Sequence, residues 1–305
     1  MYRHLNVYIM LFLVVVVSVG MVSAQDDRDV VSSESGTEYK TGLELYSAGK
    51  YGEAIGHFEK AYALDSRNVA AIFAHGLALN KLGKYKEAAV KFGMVLDNDP
   101  GHTKALRLYP AALAQTGDTE KTLAAYDRVI AAAPDDYYLY WGEARYLIKL
   151  KKYDEAVTAL HTSIELDSQQ PEVYETLAFV CREQKKPGDA LSAYDKALAL
   201  KPGDTKYMYY RAQTLFELGK MEEAFDAATQ ILEKNKNHAR ARIITADYKR
   251  LKGQYDEALA DYAIAAKNIE TKAYAEHFIG VIKQTLEEIE IEKEWEASQK
   301  KEESM

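Results

Sequence analysis

The chain has 305 residues, of which 48% are hydrophobic and 11% aromatic, enough to bury a continuous core and to argue against long disorder outside its ends. Its single cysteine, Cys181, rules out an intrachain disulfide and, with it, the class of small disulfide-rich secreted domains. The formal net charge of −8 comes without a basic stripe, which argues against a nucleic-acid partner.

The first residues are typical of an export signal. Arg3 precedes an apolar stretch over residues 7–22, and Val22-Ser23-Ala24 places small residues where a signal peptidase reads them. We predict a signal peptide at 1–24, cleaved after Ala24, with no stable membrane span afterwards. The alternative is an uncleaved anchor, although the stretch is short for a span of about 20 residues. The sequence contains no Asn-x-Ser/Thr sequon, which favours a periplasmic protein over a eukaryotic secreted one. Residues 25–36 are acidic and serine-containing, and we predict a flexible lead-in there.

The rest of the chain is organised by a 34-residue period. A small residue recurs once in most blocks, an alanine follows it by twelve, and an aromatic residue follows that alanine by four, as in Gly42, Ala54 and Phe58. Prolines close several blocks, and glycines fall in the middle of most, where a helix end needs a left-handed residue. A fixed period of this length predicts stacked helix–turn–helix units. The seven blocks are 35–68, 69–102, 103–136, 137–170, 171–204, 205–238 and 239–272.

Within each block we predict two helices of about 13 residues joined by a short turn. In the first block these are helix A, Thr37 to Ser47, and helix B, Tyr51 to Leu64. The small residue of helix A and the alanine of helix B are expected where the two helices approach most closely.

This period, and the order small residue, alanine, aromatic residue, proline, resembles the tetratricopeptide repeat family over about three quarters of the chain. The resemblance implies an all-α fold, a right-handed superhelical solenoid of seven repeats. Family members that grip a chaperone's C-terminal carboxylate carry Lys, Asn, Asn, Lys and Arg in their first three A helices. Only Lys104 fits that set among the corresponding residues, which are Tyr39, Leu43, Ala74, Lys104 and Leu108, so the clamp is predicted to be absent.

Two repeats depart from the pattern. In the third, Pro110 occupies the small-residue slot and Thr122 replaces the alanine, which predicts either a bend of the solenoid or, as we favour, a degenerate repeat with a modest kink. In the fifth, Lys185-Lys186-Pro187 occupies the inter-helix turn, and the proline is suited to begin the next helix.

Residues 273–305 contain apolar positions at helical spacing and no second turn. Phe278, Ile282, Leu286 and Ile289, joined by Trp295, predict a long C-terminal helix that caps the apolar face of the last repeat and ends in an acidic tail.

The sequence contains no nucleotide-binding, metalloprotease or nucleophile-elbow motif. Cys181 falls on a core-facing slot, and the histidines are scattered. We therefore predict a non-enzymatic protein with no catalytic, cofactor-binding or metal-binding residues.

The remaining candidate site is the concave wall, which A helices line in such a solenoid. Its predicted slots are rich in aromatic residues and arginine, the side chains most enriched at binding hot spots. The centre is predicted at Tyr138, Trp141, Arg145, Phe179 and Arg182. The predicted partner-binding residues are Tyr39, Phe73, Arg107, Tyr138, Trp141, Arg145, Phe179, Arg182, Tyr209 and Phe216.

These features predict an exported scaffold that holds a peptide or helix of a partner protein in its groove. One alternative is a structural subunit of an envelope or secretion complex that uses its convex face and C-terminal helix. Another is periplasmic glycan binding, since sugar rings also stack on Trp and Tyr. The free ends of the solenoid also allow self-association.

Overall fold

The structure is a computed structural model that describes residues 33–303, with side chains described from 34 to 300. All regular secondary structure in this range is α-helical, as the sequence predicts. The helices are α1 Ser33–Ser47, α2 Tyr51–Leu64, α3 Val69–Lys81, α4 Tyr85–Asn98, α5 Thr103–Thr116, α6 Thr119–Ala132, α7 Tyr137–Lys149, α8 Tyr153–Leu166, α9 Pro171–Glu183, α10 Pro187–Leu200, α11 Thr205–Glu217, α12 Met221–Lys234, α13 Ala239–Leu251, α14 Tyr255–Ala265 and α15 Lys272–Glu303. The odd-numbered helices α1 to α13 are the A helices, and the even-numbered ones are the B helices. The predicted signal peptide lies outside the described residues.

The chain divides into two compact units at Pro134–Asp135. The described part of the first unit contains α1 to α6, and that of the second contains α7 to α15. Within each unit, every A helix packs against the B helix that follows it, and A helices of successive repeats also touch, as α1 does α3 and α7 does α9.

The first A helix begins earlier than predicted, at Ser33, so residues 33–36 are helical and do not belong to a flexible lead-in. The cause is a buried serine. The Ser35 hydroxyl donates to the Ala61 carbonyl oxygen at 2.7 Å, and the Asn68 amide donates to the Ser35 hydroxyl at 3.0 Å. Ser35, which lies in a segment whose composition is typical of a linker, is therefore hydrogen-bonded to residues on both sides of the connection between α2 and α3.

The turn between the A and B helices has a left-handed residue in all seven repeats. Five are the predicted glycines, Gly49, Gly83, Gly117, Gly219 and Gly253. In repeats four and five the same slot holds Lys151 (φ 61°) and Lys185 (φ 59°), a conformation that costs a side-chain-bearing residue about 1–2 kcal/mol.

Close approach of the paired helices explains the small residue of the first two repeats. A β-carbon added to Gly42 would lie 2.5 Å from Phe58 Cε1, and one added to Gly76 would lie 2.7 Å from Phe92 Cε1. Both phenylalanine rings are fully buried. These glycines are therefore required by packing, because the aromatic ring of the B helix occupies the space of a methyl group.

The two irregular repeats remain helical. Helix α5 continues through the buried Pro110 from Thr103 to Thr116. Thr122, in the alanine slot, is fully buried, and its hydroxyl donates to the Asp118 carbonyl oxygen at 2.7 Å. Helix α10 begins at Pro187, as predicted.

The C-terminal helix packs on the last repeat through its first half. Ala275 and Ile282 are buried, and Phe278 stacks on Tyr262 with ring centroids 5.9 Å apart. Its second half differs from the prediction, because Trp295 is 63% exposed and does not join this contact.

Candidate functional site

One slot of the A helix decides how much aromatic surface each repeat presents. It recurs every 34 residues and holds Tyr39, Phe73, Arg107, Trp141, Glu175, Tyr209 and Ile243. Tyr39 and Phe73, in the first unit, are only 9% and 8% exposed. These two predicted binding residues are therefore part of the core, and they offer little surface to a partner.

The phenylalanines of the B helices cause this burial. Tyr39 packs on Phe58 with ring centroids 6.1 Å apart, and Phe73 packs on Phe92 at 5.7 Å and on His102 at 4.7 Å. Each Phe ring is fully buried against the glycine of the A helix, and the A-helix ring that packs on it is buried with it. Arg107, in the third repeat, stays half-buried.

In the second unit the same slot carries a half-buried aromatic cluster on what we call the A-face, the surface formed by α7, α9, α11 and α13. Tyr138 meets the Trp141 ring edge-on at 5.3 Å, and the Arg145 guanidinium lies over the indole at 4.9 Å. The Trp141 Nε1–H donates to the Thr176 hydroxyl at 2.9 Å. The indole is therefore oriented by the next repeat and remains partly open to solvent, as a preorganised contact requires.

The next cations of the A-face already have partners. Arg182 donates to both oxygens of Glu217, with Nη2–Oε1 at 2.5 Å and Nε–Oε2 at 3.2 Å. Lys206 pairs with Glu175 at 2.5 Å. Arg182 was predicted to contact a ligand directly, and the structure shows that it also ties repeats five and six together. A bidentate pair of this kind is stronger and more directional than an ordinary surface ion pair.

Tyr209 forms a second aromatic cluster further along the A-face. Its ring lies 5.2 Å from that of Tyr210 and 5.9 Å from that of His238, and the Arg240 guanidinium lies over it at 5.7 Å. Burial raises the pKa of Tyr209, so the phenol is a neutral hydrogen-bonding group at physiological pH. Phe216 packs at the edge of the core formed by α11, α12 and α13. Phe179, on α9, is half-buried.

Two polar partners of these residues, Thr176 and Glu217, were missed from the sequence. Both follow their partner by 35 residues, one more than the repeat period, as in the pairs Trp141–Thr176 and Arg182–Glu217. A search for polar residues at this offset would have found them, because in both pairs a side chain of one A helix meets the residue 35 positions later on the next A helix.

The C-terminal helix closes the A-face at its far end. Asp247 is buried and accepts hydrogen bonds from Tyr262 and, at 2.9 Å, from Tyr274 of α15, while Arg250 lies over the Phe278 ring at 4.4 Å. Burial raises the pKa of Asp247. Asp247 and Arg250, both on the A helix α13, are thus held by contacts with the cap, so the open A-face ends before them.

Repeat seven contains a buried ion cluster on its other side. The Asp261 carboxylate, which is buried, accepts from Arg242 at 2.6 Å, Lys249 at 2.9 Å and Thr245 at 3.0 Å. It borders a cavity of about 360 Å³, whose apolar lining includes Phe225 and Leu232. We call Asp261, Arg242, Lys249 and Thr245 the repeat-seven ion cluster.

Other candidate chemistries find little support in the described part of the chain. Burial raises the pKa of the Cys181 thiol, which keeps it protonated and unreactive. Among residues 33–303, no three His, Cys, Asp or Glu side chains converge as metal ligands. No helix in that range is both long and apolar enough for a membrane span.

Comparison with known proteins agrees with this architecture. The "Tetratricopeptide repeat" family profiles match residues 39–103, 113–178 and 182–248. A tetratricopeptide repeat and J domain-containing co-chaperone of Fusarium oxysporum f. sp. lycopersici is 25% identical over 223 residues, 68% of this chain and 43% of its own length. A human protein O-mannosyl-transferase is 27% identical over 151 residues, 48% of this chain and 17% of its own. The chain thus spans less than half the length of these curated relatives.

Solved structures show the same fold. The C-terminal part of a repeat-containing protein of Cytophaga hutchinsonii superposes with a TM-score of 0.65 at 18% identity, covering 78% of this chain and 97% of that one. YrrB, described as a repeat protein with an unusual peptide-binding site, superposes with a TM-score of 0.53 at 19% identity, covering 61% of this chain and 96% of that one. On its repeats, their helix pairs and the family profiles, this chain belongs to the tetratricopeptide repeat family.

Proposed function

We propose that this protein is a non-enzymatic scaffold of the cell envelope that holds a peptide or helix of a partner protein on the A-face of its second unit. Tetratricopeptide folds are generally protein-interaction scaffolds. The observation that carries the proposal is the cluster of Tyr138, Trp141 and Arg145, which is half-buried, oriented by Thr176 and partly open to solvent.

The proposed binding surface is smaller than the groove predicted from the sequence. The first two repeats contribute core packing through Tyr39 and Phe73, so the binding surface begins at the later repeats. Arg182 and Arg240 are held by Glu217 and Glu270, and we expect them to act as fixed parts of the wall that keep neighbouring A helices in register. The aromatic rings then supply most of the contact area, because Trp and Tyr offer large surfaces with few rotatable bonds.

The envelope location rests on the apolar segment at 1–24, which the structure does not describe. N-terminal sequencing of the protein exported by a bacterial host tests it. A mature chain that begins at Gln25 supports the location, and a chain retaining Met1 in the membrane fraction supports the uncleaved anchor.

The site is tested with a matched pair of double variants. Trp141→Ala/Arg145→Ala removes one indole and one cation from the A-face, and the control Val90→Ala/Lys86→Ala removes one exposed apolar side chain and one cation from helix α4 of the first unit. Proteins from an envelope extract are captured by each immobilised chain and quantified, and the best-captured protein is then purified and titrated. We expect its affinity to fall at least tenfold for the A-face variant and to stay within twofold for the other.

Equal capture by the wild type and the A-face variant would remove this cluster from the binding surface. Competition by an oligosaccharide, with no competition by peptides of the captured protein, would assign the rings to glycan binding. A second candidate function, a structural subunit of an envelope assembly, is favoured by a different observation, which is the exposed outer half of α15.

A further inference from the structure

The C-terminal helix α15 carries two apolar stripes, and only one of them is used by the fold. The first stripe contains Ala275, Phe278 and Ile282, which pack on repeat seven. The second contains Val281, Ile291 and Trp295, which are 38%, 66% and 63% exposed.

Helix geometry shows that the second stripe does not continue the first. At 100° per residue, Ile291 and Trp295 lie within about 40° of each other, and both point roughly a third of a turn or more away from the buried stripe. All ten side chains from Ile291 to Lys300 are exposed, over a length of about 15 Å. Neighbouring apolar side chains at this spacing on an exposed helix are the pattern by which one helix binds another.

The charge around the second stripe selects the partner. Six glutamates lie between residues 287 and 296, against a single lysine, Lys293. Glu288 and Glu292 share the face of Trp295, while Lys293 points about 160° away from it. An acidic rim around an apolar stripe attracts a cationic partner, and it repels both a second copy of the same helix and an anionic lipid surface.

We propose that the outer half of α15, with the stripe Val281, Ile291 and Trp295, is a docking surface for a basic amphipathic helix of another protein. The partner helix places its apolar side chains between Ile291 and Trp295 and its lysines or arginines beside the glutamates. This surface is separate from the A-face, so one chain can hold two partners at once.

The test uses a synthetic probe and the full chain. The probe is an 18-residue, fluorescein-labelled peptide with leucines at positions i, i+3, i+4 and i+7 and lysines elsewhere. Fluorescence anisotropy is expected to show binding in the micromolar range, weakened at least tenfold by Ile291→Ser/Trp295→Ser. The matched control is Ile269→Ser, because Ile269 is 91% exposed but lies outside α15, and it is expected to change binding by less than twofold.

Two further peptides separate the contributions. A peptide with serine at the leucine positions keeps the charge alone, and one with glutamate at the lysine positions keeps the apolar stripe alone. We expect each to bind at least tenfold more weakly than the probe. If either binds as well as the probe, or if Ile291→Ser/Trp295→Ser binds like the wild type, the proposed surface is wrong.

Other occupants give different results. A dimer in sedimentation equilibrium that Ile291→Ser/Trp295→Ser dissociates would make a second copy the occupant, and vesicles of anionic phospholipid bound through the same residues would make it a membrane. Either would overturn the proposal. The Trp141→Ala/Arg145→Ala variant is expected to bind the probe normally, so loss of this surface and loss of the A-face are distinguishable.

Discussion

The two units build the same repeat with different interiors. In the first two repeats, glycine in the small-residue slot lies against a buried phenylalanine, and the A-helix aromatic residues Tyr39 and Phe73 pack on that ring. In the second unit that slot is alanine throughout, the aromatic residues at the A-helix slot stay half-buried, and hydrogen bonds and ion pairs join successive repeats. Repeats four and six have Leu160 and Ala228 at the slot of that phenylalanine, so the presence of a B-helix ring, more than the missing methyl group, separates a core aromatic residue from a half-buried one.

The repeat-seven ion cluster gives the largest expected effect. Asp261→Ala removes the buried carboxylate, which leaves Arg242, about 20% exposed, without its counter-ion and Lys249 with only the exposed Glu257 at 3.5 Å. Breaking a buried pair in this way costs about 3–5 kcal/mol. We expect a loss of this size in the second unit, measured by urea unfolding followed through tryptophan fluorescence, because both tryptophans lie in that unit.

The control restores the pattern of the other repeats. Lys249 stands where five repeats have leucine and one has cysteine, and Asp261 stands where repeats three to six have alanine. The double variant Lys249→Leu/Asp261→Ala is therefore expected to recover most of the stability lost in the single variant. A double variant as unstable as Asp261→Ala would mean that the cluster is needed for more than the pairing of its charges.

A buried histidine gives the first unit a dependence on acid. His75, on α3, stacks on Tyr62 and lies near Glu59 of α2, Lys91 of α4 and Lys84, the residue that precedes α4. Burial, with help from the two lysines, lowers the pKa of His75 to about 4. The unfolded chain takes up the proton near pH 6.5 and the folded chain only near 4, so this contribution to stability is full above 6.5 and is lost as the pH falls towards 4.

The expected loss is up to about 3 kcal/mol, seen as an earlier urea midpoint by circular dichroism at pH 4 than at pH 7. His75→Leu, which places the residue of Leu177 in the same slot, should flatten this difference. An unchanged pH profile in the variant would assign the acid sensitivity to other groups. Asp247 in the second unit has the opposite sign, because burial raises its pKa and the folded state is disfavoured as the pH rises above the usual value for aspartate.

The glycine–phenylalanine contact itself can be broken by adding one carbon. Gly76→Ala places a methyl group 2.7 Å from Phe92 Cε1, and overpacking of this kind costs about 1–3 kcal/mol. Gly56→Ala, on α2, meets no atom within 4 Å and should instead stabilise by about 0.5–1 kcal/mol, since alanine is the better helix former. Chemical unfolding of the two variants, followed by circular dichroism, should therefore move in opposite directions.

The fourth repeat supplies the rescue, because it pairs Ala144 with Leu160 at the same two slots. We expect the double variant Gly76→Ala/Phe92→Leu to lose less free energy of unfolding than the sum of the losses in its two single variants. Additive effects would show that the contact between the added methyl group and the ring is not the cause. In the double variant Phe73 should also become more exposed, because the ring on which it packs is gone. The second repeat would then resemble the fourth, in which the A-helix aromatic residue is half-buried.

The sequence predicts the helices well because the 34-residue period repeats the same local signals seven times. Helix α2 has its predicted ends, and the five turn glycines are left-handed, as expected. The site was harder to predict, because exposure of an A-helix residue depends on the ring that lies under it from the next helix. Tyr39 and Trp141 occupy the same slot, and only Phe58, with Gly42 beside it, makes the first a core residue.

Other differences were present in the sequence but required comparison of one repeat with the others. The lysine and aspartate of the repeat-seven ion cluster are ordinary surface residues by type, and only their slots show that they replace core residues. The roughly helical spacing of Ile282, Leu286 and Ile289 before it predicts that Trp295 joins the cap. At 100° per residue, however, the Trp295 side chain points well away from the buried stripe of α15, so it faces solvent.

The smallest expected effect concerns the left-handed turn residue, which is glycine in all the described repeats of the first unit but lysine twice in the second. Lys151→Gly removes the steric cost of φ near 61°, about 1–2 kcal/mol, and adds back some entropy to the unfolded chain, so we expect a net gain of about 1 kcal/mol. The reciprocal change, Gly219→Lys, imposes the same cost on a turn that now avoids it and should destabilise by a similar amount. Both turns lie in the second unit, so tryptophan fluorescence in urea measures both. If Lys151→Gly does not stabilise the second unit, then the Lys151 side chain must contribute about as much stability as its left-handed backbone costs. The lysine would then be kept at this turn for the contacts of its side chain, and not because the second unit tolerates a strained turn.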